Sequence, residues 1–327
     1  MGDPPPALGI DVGGTTSIYG LIERDGTIRA EITHPTRSDI GGEAFIDGIA
    51  ARANELAART SLNRMVAVGI GVPGTVSGDE RTALDCPNLT CLDGLPVADM
   101  LEDRLGVPVW MQNDAYVAGL AELRHGAARD HENMVLFTLG TGVGGGIAID
   151  NQMHRGPRQI MGELGHIIIL PDGPVCSCGA RGCLEVLCGK EGIVNRAWRR
   201  LEDHPDSMLA EACGQKKENI SPKMIAEICA AGDEVCCDLL RETGRFLGIG
   251  MASAIVCLDP DVIVVGGGVS GAGGVLMDAI HKTVGAYARI SNFDPKNVVY
   301  AELGWRAGIV GAAALAWEHV DKQATAT

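Results

Sequence analysis

One segment of the sequence, residues 162–185, gathers several side chains that bind metal ions. Its candidate metal ligands are His166, Cys176, Cys178 and Cys183. Zn²⁺ favours a tetrahedral set of thiolate and imidazole ligands, and one histidine with three cysteines completes a closed structural site that leaves no position for a catalytic water. Free cysteines are often simply buried, but Gly179 and Gly182 supply the tight turns that let three sulfurs converge. The segment therefore predicts a structural zinc site, and the flanking acids Glu163 and Glu185 are not needed as ligands.

Two glycine-rich turns form a second kind of candidate site. Residues 10–17 and 137–144 share one layout, in which an apolar run that carries a polar residue leads into a glycine turn. Such turns point backbone N–H groups at one spot and favour phosphate. A strand is expected after each turn, which excludes the Walker and dinucleotide-binding motifs. Simple tight hairpins are the alternative, but the matched polar residues Asp11 and Thr138 favour nucleotide binding and an internal repeat with two similar halves.

The elements that position these residues alternate between strands and helices. In the first part of the chain we predict strands at 7–12, 17–23, 27–33, 65–71 and 107–111, and helices at 44–60, 96–105 and 115–128. In the second part we predict strands at 134–139, 146–150, 262–265 and 298–303, and helices at 190–201, 222–231, 233–258 and 308–320. This order predicts an α/β fold with largely parallel sheets extended by antiparallel hairpins. We expect a smaller domain of residues 1–115 with about 308–327, and a larger one of residues 116–307 that holds the zinc loop.

Composition limits the classes of function. The 327 residues, 46% of them hydrophobic and 21% charged, suffice for two domains with separate cores. A net charge of −15 argues against binding to nucleic acid or to an anionic membrane, so small-molecule partners are expected. No apolar run reaches the roughly 18–20 residues of a membrane helix. The N-terminus shows no secretion signal and the cysteine count of 11 is odd, so we expect a cytoplasmic protein with reduced thiols.

Five motifs together resemble the ROK (repressor, open reading frame, kinase) family. They are Asp-Val-Gly-Gly-Thr at 11–15, Thr-Leu-Gly-Thr-Gly at 138–142, Gly-Glu-Leu-Gly-His at 162–166, Cys-Ser-Cys-Gly at 176–179 and Gly-Cys-Leu-Glu at 182–185. The kinases of this family belong to the actin-like ATPase and hexokinase superfamily. The resemblance therefore implies two actin-like ATPase (ribonuclease H-like) α/β domains with a cleft between them.

The same resemblance implies an ATP site and a sugar site. ATP would bring Mg²⁺, which Asp11 would hold through water, and the glycines at 266–268 would lie at the adenosine. The implied nucleotide-binding residues are Asp11, Gly13, Gly14, Thr15, Thr138, Gly140, Thr141, Gly142, Gly266 and Gly267. The implied sugar-binding residues are Asn88, Asn113, Asp114, Glu163, His166 and Glu185. One ring nitrogen of His166 could bind zinc while the other donates to or accepts from a sugar hydroxyl.

Asp114 is the candidate catalytic residue. Phosphoryl transfer depends on positioning and on neutralising charge, helped by a carboxylate that accepts the proton of the attacking hydroxyl. Asp114 lies at a predicted junction between a strand and a helix, and the resemblance gives it the role of general base. An aspartate at such a junction could instead serve as a helix N-cap.

The expected activity is that of an ATP-dependent glucokinase, which phosphorylates the 6-hydroxyl of glucose at the start of glycolysis. An N-acetylhexosamine kinase, acting on N-acetylglucosamine or N-acetylmannosamine, is the alternative within the same chemistry. The shape of residues 72–95 would decide between them. Asn88 after Pro87 resembles the glucokinases of the family, whereas Cys91-Leu92 and Tyr116 stand where many of them have Gly-Trp and Asn.

Two other classes of function are less favoured. A sugar-responsive repressor would need a helix-turn-helix before the first strand and a basic surface, but ten residues precede Asp11 and the charge is acidic. A sugar-binding protein without catalysis should lack Asp114 or a phosphate turn, and all are present. The resemblance also implies a homo-oligomer, either a dimer or a tetramer. These residues do not distinguish ATP from polyphosphate as the phosphate donor.

Overall fold

The computed structural model describes residues 5–59, 64–268 and 273–326. The chain divides into two compact units. The first unit contains Met1–Asp130, Met153–Met161 and Glu302–Thr327, and the second contains His131–Gln152 and Gly162–Ala301. The domain limits expected from the sequence stay a prediction.

The first unit is built on a mixed sheet. Its strands and the small hairpin beside them are β1 (Ala7–Val12), β2 (Thr16–Ile22), β3 (Ile28–Pro35), β4 (Val68–Val72), β5 (Thr75–Val76), β6 (Ala83–Asp85) and β7 (Val109–Asn113). The order in the sheet is β3-β2-β1-β4-β7, while β5 and β6 pair with each other. Strands β1 to β3 form an antiparallel meander, and β1, β4 and β7 run parallel. The carboxyl ends of β1, β4 and β7 therefore lie at one edge.

Four α-helices lie among the described residues of the first unit. They are α1 (Gly42–Ala58), α2 (Val97–Leu105), α3 (Asp114–His125) and α10 (Ala307–Ala326). Helix α10 packs directly on the sheet, because glycines let the two backbones approach. A Cβ atom on Gly9 would lie 1.9 Å from the carbonyl oxygen of Ile309, and one on Gly69 would lie 1.7 Å from that of Ala312. The prediction that the small residues of the last helix pack against the first half of the chain is confirmed.

The second unit repeats the strand arrangement. The second sheet consists of β8 (Met134–Leu139), β9 (Val143–Ile149), β10 (Gln152–His154), β11 (Val262–Gly266) and β12 (Val298–Tyr300), in the order β10-β9-β8-β11-β12. The helices of the second unit are α4 (Leu184–Cys188), α5 (Lys190–Asp203), α6 (Met208–Cys213), α7 (Pro222–Ala230), α8 (Glu234–Leu258) and α9 (Gly274–Tyr287). As in the first sheet, an antiparallel hairpin, β8–β9, lies beside parallel strands, β8–β11–β12. The predicted internal repeat is thus present.

One expectation about the cysteines was wrong. We expected reduced thiols throughout, but Cys229 on α7 and Cys237 on α8 form a disulfide, with Cα atoms 4.8 Å apart. The short connection between these helices, residues 231–233, brings the two cysteines within disulfide range. Their spacing in the sequence does not show this proximity.

None of the helices in the described part of the chain combines the length and the apolar character that a membrane crossing requires.

Candidate active site and metal centre

The four predicted metal ligands lie together in the second unit. Their ligand atoms are all within 4.8 Å of one another. The sulfurs of Cys178 and Cys183 are 3.7 Å apart, and so are the sulfur of Cys176 and Nδ1 of His166. Ligands about 2.0–2.3 Å from a tetrahedral zinc ion are separated by roughly 3.5–3.8 Å. The side chains therefore fit the zinc ion that the sequence predicts.

The backbone of the loop explains how this cluster forms. His166 ends a 3-10 turn, Leu164–His166, and an isolated β-bridge joins Ile168 to Cys183. Gly182 has a φ of 67°, and a Cβ atom there would lie 1.5 Å from the carbonyl oxygen of Leu170. Only glycine combines this conformation with so close an approach. The turn at Gly182 thus brings Cys183 back towards His166.

The pKa values of the cysteine thiols bear on how the cluster would bind a metal ion. Burial raises the pKa of the Cys183 thiol to about 12, whereas the backbone N–H of Ala180 helps to lower the pKa of Cys178. Metal ligation requires thiolates, and a bound cation supplies the positive charge that stabilises them. A buried thiol such as Cys183 is therefore expected to ionise together with metal binding.

Glu185 connects the cysteine loop to the glycine turn of the same unit. It lies in the first turn of α4, where one carboxylate oxygen accepts a hydrogen bond from the N–H of Val143 at 3.2 Å. The other oxygen is 4.0 Å from the sulfur of Cys176. A Cβ atom on Gly142 would lie 2.2 Å from the carboxylate, so a larger residue there would displace the Glu185 side chain. Glu163 immediately precedes the 3-10 turn that carries His166.

The other nucleotide-site candidates of this unit lie where β8 and β11 end. Because these strands are parallel, with Thr138 opposite Gly266, the turns that follow them meet at one edge of the sheet. Gly267 has a φ of 86°, and a Cβ atom there would lie 2.3 Å from the carbonyl oxygen of Leu139. The amide of Gly140 donates to the carbonyl of Gly142 at 3.0 Å, which closes the turn. The edge thus gathers the candidate residues Thr138, Gly140, Thr141, Gly142, Gly266 and Gly267.

The first unit gathers a second set of candidates at the matching edge of its sheet. Burial and, to a smaller extent, the charge of Asp114 raise the pKa of Asp11 to about 6. A Cβ atom on Gly308 would lie 2.3 Å from the Asp11 carboxylate, which places this acid beside the first turn of α10. The turn after β1 is closed by a hydrogen bond from the Gly13 amide to the carbonyl of Thr16 at 3.0 Å.

Two further predicted residues border that turn. The carbonyl of Thr15 accepts a hydrogen bond from Thr36 at 2.9 Å. A Cβ atom on Gly14 would lie 3.4 Å from Cβ of Asn88, which brings this candidate sugar ligand next to the turn.

At the junction between β7 and α3, the helix cap and the candidate base are different residues. Asn113 is the N-cap of α3, since its Oδ1 accepts hydrogen bonds from Ala115 at 2.9 Å and Tyr116 at 3.2 Å. Its Nδ2 donates to the carbonyl of Gly74 at 2.9 Å. Asp114 is the first residue of the helix, so the capping role that we weighed for Asp114 belongs to Asn113.

A polar network behind β7 was not predicted. The buried carboxylate of Glu80 accepts hydrogen bonds from Gln112, Arg155 and His319. These residues are far apart in the sequence and match no motif. No local pattern in the sequence pointed to them.

Comparison with known proteins agrees with this arrangement. The family model of the ROK family matches residues 7–319. The glucokinase of Streptomyces coelicolor is 36% identical over 315 residues, which cover 95% of this chain and 97% of that protein. The N-acetylmannosamine kinase of Escherichia fergusonii is 32% identical, with 82% and 85% covered. The crystal structure of a ROK family glucokinase from Streptomyces griseus, in complex with glucose and AMPPNP, superposes with a TM-score of 0.82 at 35% identity, covering 96% of this chain and 99% of that one. This chain belongs to the ROK family, as its motifs predicted.

Proposed function

We propose that this protein is an ATP-dependent hexose kinase that phosphorylates the 6-hydroxyl of glucose. The observation that carries the proposal is the pair of carboxylates at the carboxyl edge of the first sheet. Asp11 and Asp114 interact there, and their charge repulsion contributes to the raised pKa of Asp11. Phosphoryl transfer needs one acid near the metal ion and another near the attacking hydroxyl. The likeness to a glucokinase with bound glucose and AMPPNP supports glucose and ATP as the substrates.

In this mechanism Asp114 is the general base. The oxygen of the 6-hydroxyl attacks the γ-phosphorus of ATP, the bond from that phosphorus to the β–γ bridging oxygen breaks, and the hydroxyl proton passes to the Asp114 carboxylate. Asn113 fixes the start of α3 by its capping bonds and so orients the base beside it. Asn88, which lies next to Gly14 in the turn after β1, would bind the sugar together with Asn113.

Asp11 fits a role in holding Mg²⁺. A carboxylate oxygen is the kind of ligand that Mg²⁺ prefers, and a cation beside Asp11 would offset the repulsion from Asp114. When bound, Mg²⁺ would neutralise phosphate charge. The glycine turns at 13–15 and 140–142 would supply backbone N–H groups to the phosphates, and residues 266–267 would contact the nucleoside.

In the second unit, zinc would organise the sugar ligands. Nδ1 of His166 lies 3.7 Å from the Cys176 sulfur, which supports zinc binding through Nδ1 and leaves Nε2 for the proposed sugar contact. Glu185 is held by the Val143 amide, and Glu163 adjoins the His166 turn. We assign to zinc a purely structural role, in which it fixes these three side chains for the hydroxyls of the sugar.

An N-acetylhexosamine kinase is the second candidate, favoured by the 32% identity to an N-acetylmannosamine kinase. A coupled assay of ADP release with glucose, mannose, fructose, N-acetylglucosamine and N-acetylmannosamine separates the two. We expect the highest kcat/KM with glucose. A preference for an acetamido sugar would select the second candidate, and no turnover with any sugar and Mg-ATP would refute the kinase. Measuring glucose 6-phosphate with polyphosphate in place of ATP identifies the donor.

A further inference from the structure

We propose that Glu80 is a positioning residue for phosphoryl transfer, which holds strand β7 and the first turn of α3 so that Asp114 meets the attacking hydroxyl. The proposal rests on the proposed role of Asp114 as general base. It assigns a function to a buried acid that takes no part in the mechanism above.

The backbone of Glu80 is fastened to β7. Glu80 lies at the tip of the β5–β6 hairpin with a φ of 65°, a left-handed conformation that residues other than glycine seldom adopt. Its N–H donates to the carbonyl of Ser77 at 3.0 Å, and its carbonyl accepts from the N–H of Met111 at 3.1 Å. The left-handed conformation of Glu80 thus occurs where the hairpin tip is hydrogen-bonded to β7, the strand that leads to Asp114.

The side chain of Glu80 reaches the same strand. Its side chain is 8% exposed, and one carboxylate oxygen accepts hydrogen bonds from Nε2 of Gln112 at 3.2 Å and from Arg155 at 2.9 Å. Oε1 of Gln112 accepts in turn from the N–H of Asn113 at 3.2 Å. Asn113 is the cap of α3, so hydrogen bonds connect Glu80 to the residue beside the candidate base.

Two hydrogen-bond partners of Glu80, His319 and Arg155, also pack against this segment. The other carboxylate oxygen is 2.6 Å from Nε2 of His319 on α10, and the imidazole stacks on Trp110 with ring centroids 4.5 Å apart and planes at 7°. The guanidinium of Arg155 lies 5.7 Å from the ring centroid of Tyr116. Glu80 thus anchors two side chains that cover residues 110 and 116, on either side of Asp114.

Stability alone does not account for this network. Burial opposes ionisation of Glu80, but the hydrogen bond with His319 and the charges of His319 and Arg155 hold its pKa below the usual range, so the carboxylate is ionised at neutral pH. A buried ion pair is often no more stable than apolar packing of the same volume, and its directional bonds can instead select one arrangement. Nη1 of Arg155 is buried without a hydrogen-bond partner among the described residues, so the network is not optimised for stability.

Glu80→Gln is the test, because it keeps the volume and removes the charge. We expect kcat for glucose to fall by about 10- to 100-fold, as for small displacements of a catalytic group, while KM for ATP changes less than about twofold. The apparent pKa on the acidic side of the pH profile of kcat/KM, which would report the proposed base Asp114, should shift as well. Glu227→Gln is the matched control, since Glu227 pairs with Lys223 at an exposed position on α7 in the second unit, and its kcat should equal that of the wild type.

A second pair of variants covers poor folding of Glu80→Gln. In His319→Gln the side chain can still donate to Glu80, so kcat should be largely retained, whereas His319→Leu should lose it to the same degree as Glu80→Gln. If folded Glu80→Gln and His319→Leu both keep the kcat and the pH profile of the wild type, the proposed role of Glu80 is wrong. Asp114→Asn, measured in parallel, separates this outcome from failure of the proposed function: an active Asp114→Asn refutes the base itself.

Discussion

The carboxylate of Glu185 accepts a hydrogen bond from the backbone N–H of Val143 at 3.2 Å, while its second oxygen lies 4.0 Å from the sulfur of Cys176. One acid therefore contacts both the cysteine cluster and the glycine turn after β8. A change in either is expected to move Glu185. This relationship makes the zinc loop and the proposed phosphate turn parts of one site.

Removal of a zinc ligand tests the metal centre. Cys178→Ser should lose the single zinc ion that we expect per chain and should melt at a lower temperature, because the loop would no longer be closed by metal. Metal analysis and thermal unfolding measure both effects. Cys257→Ser is the control, since this exposed cysteine lies outside the cluster. One zinc per chain and an unchanged melting temperature in Cys178→Ser would disprove the four-ligand site.

Gly142→Ala tests the contact between the glycine turn and Glu185. The added methyl group would lie 2.2 Å from the Glu185 carboxylate, so one of them must move. We expect KM to rise by about tenfold or more for both glucose and ATP, since small misplacements at such sites are costly. Gly48→Ala is the control, because a Cβ atom there has no neighbour within 4 Å. A rise in KM for ATP with an unchanged KM for glucose would show that Glu185 is not disturbed.

Asp11 gives a prediction about pH. Its pKa is raised from 3.8 to about 6, mainly by burial and then by Asp114, so its neutral form favours folding and that contribution is lost as pH rises from about 4 to about 6. Above pH 6, without Mg²⁺, Asp11→Asn should be more stable than the wild type by about 3 kcal/mol, whereas near pH 4 the two should agree. Urea unfolding at both pH values measures this difference.

The same variant tests metal binding by Asp11. Mg²⁺ should raise the melting temperature of the wild type and leave that of Asp11→Asn unchanged. An equal response of both proteins to Mg²⁺ would remove Asp11 from the metal site. A variant less stable than the wild type at pH 7 would contradict the unfavourable burial of its charge.

Much of the fold could be predicted, because strands such as Ala7–Val12 and Met134–Leu139 are unbroken apolar runs between turn residues. Strand β9 begins at Val143 and not at residue 146, because sheet pairing outweighs the tendency of its glycines to form turns. Gly145 is needed inside the strand, since a Cβ atom there would lie 2.6 Å from the carbonyl oxygen of Gly162. Helix α9 was missed; it begins at a glycine, with no side-chain cap to mark its start.

The candidate site was predictable to a different degree in its two parts. The spacing of His166 and the three cysteines is local, so the sequence alone indicated a cluster that the structure contains. The hydrogen bond between Glu80 and His319 joins residues 239 positions apart, and neither residue carries a local signal. Such contacts depend on how α10 packs against the sheet, which no short pattern encodes.

The most direct test of the proposed function is the turnover of Asp114→Asn with glucose and Mg-ATP. Asparagine has nearly the same shape but cannot accept the hydroxyl proton, so kcat should fall by about 10²–10⁴-fold, the usual contribution of a general base. Glucose binding, measured by calorimetry, should remain within a few-fold of the wild type. Full turnover by Asp114→Asn would contradict the assignment of Asp114 as the base and with it the mechanism proposed for this protein.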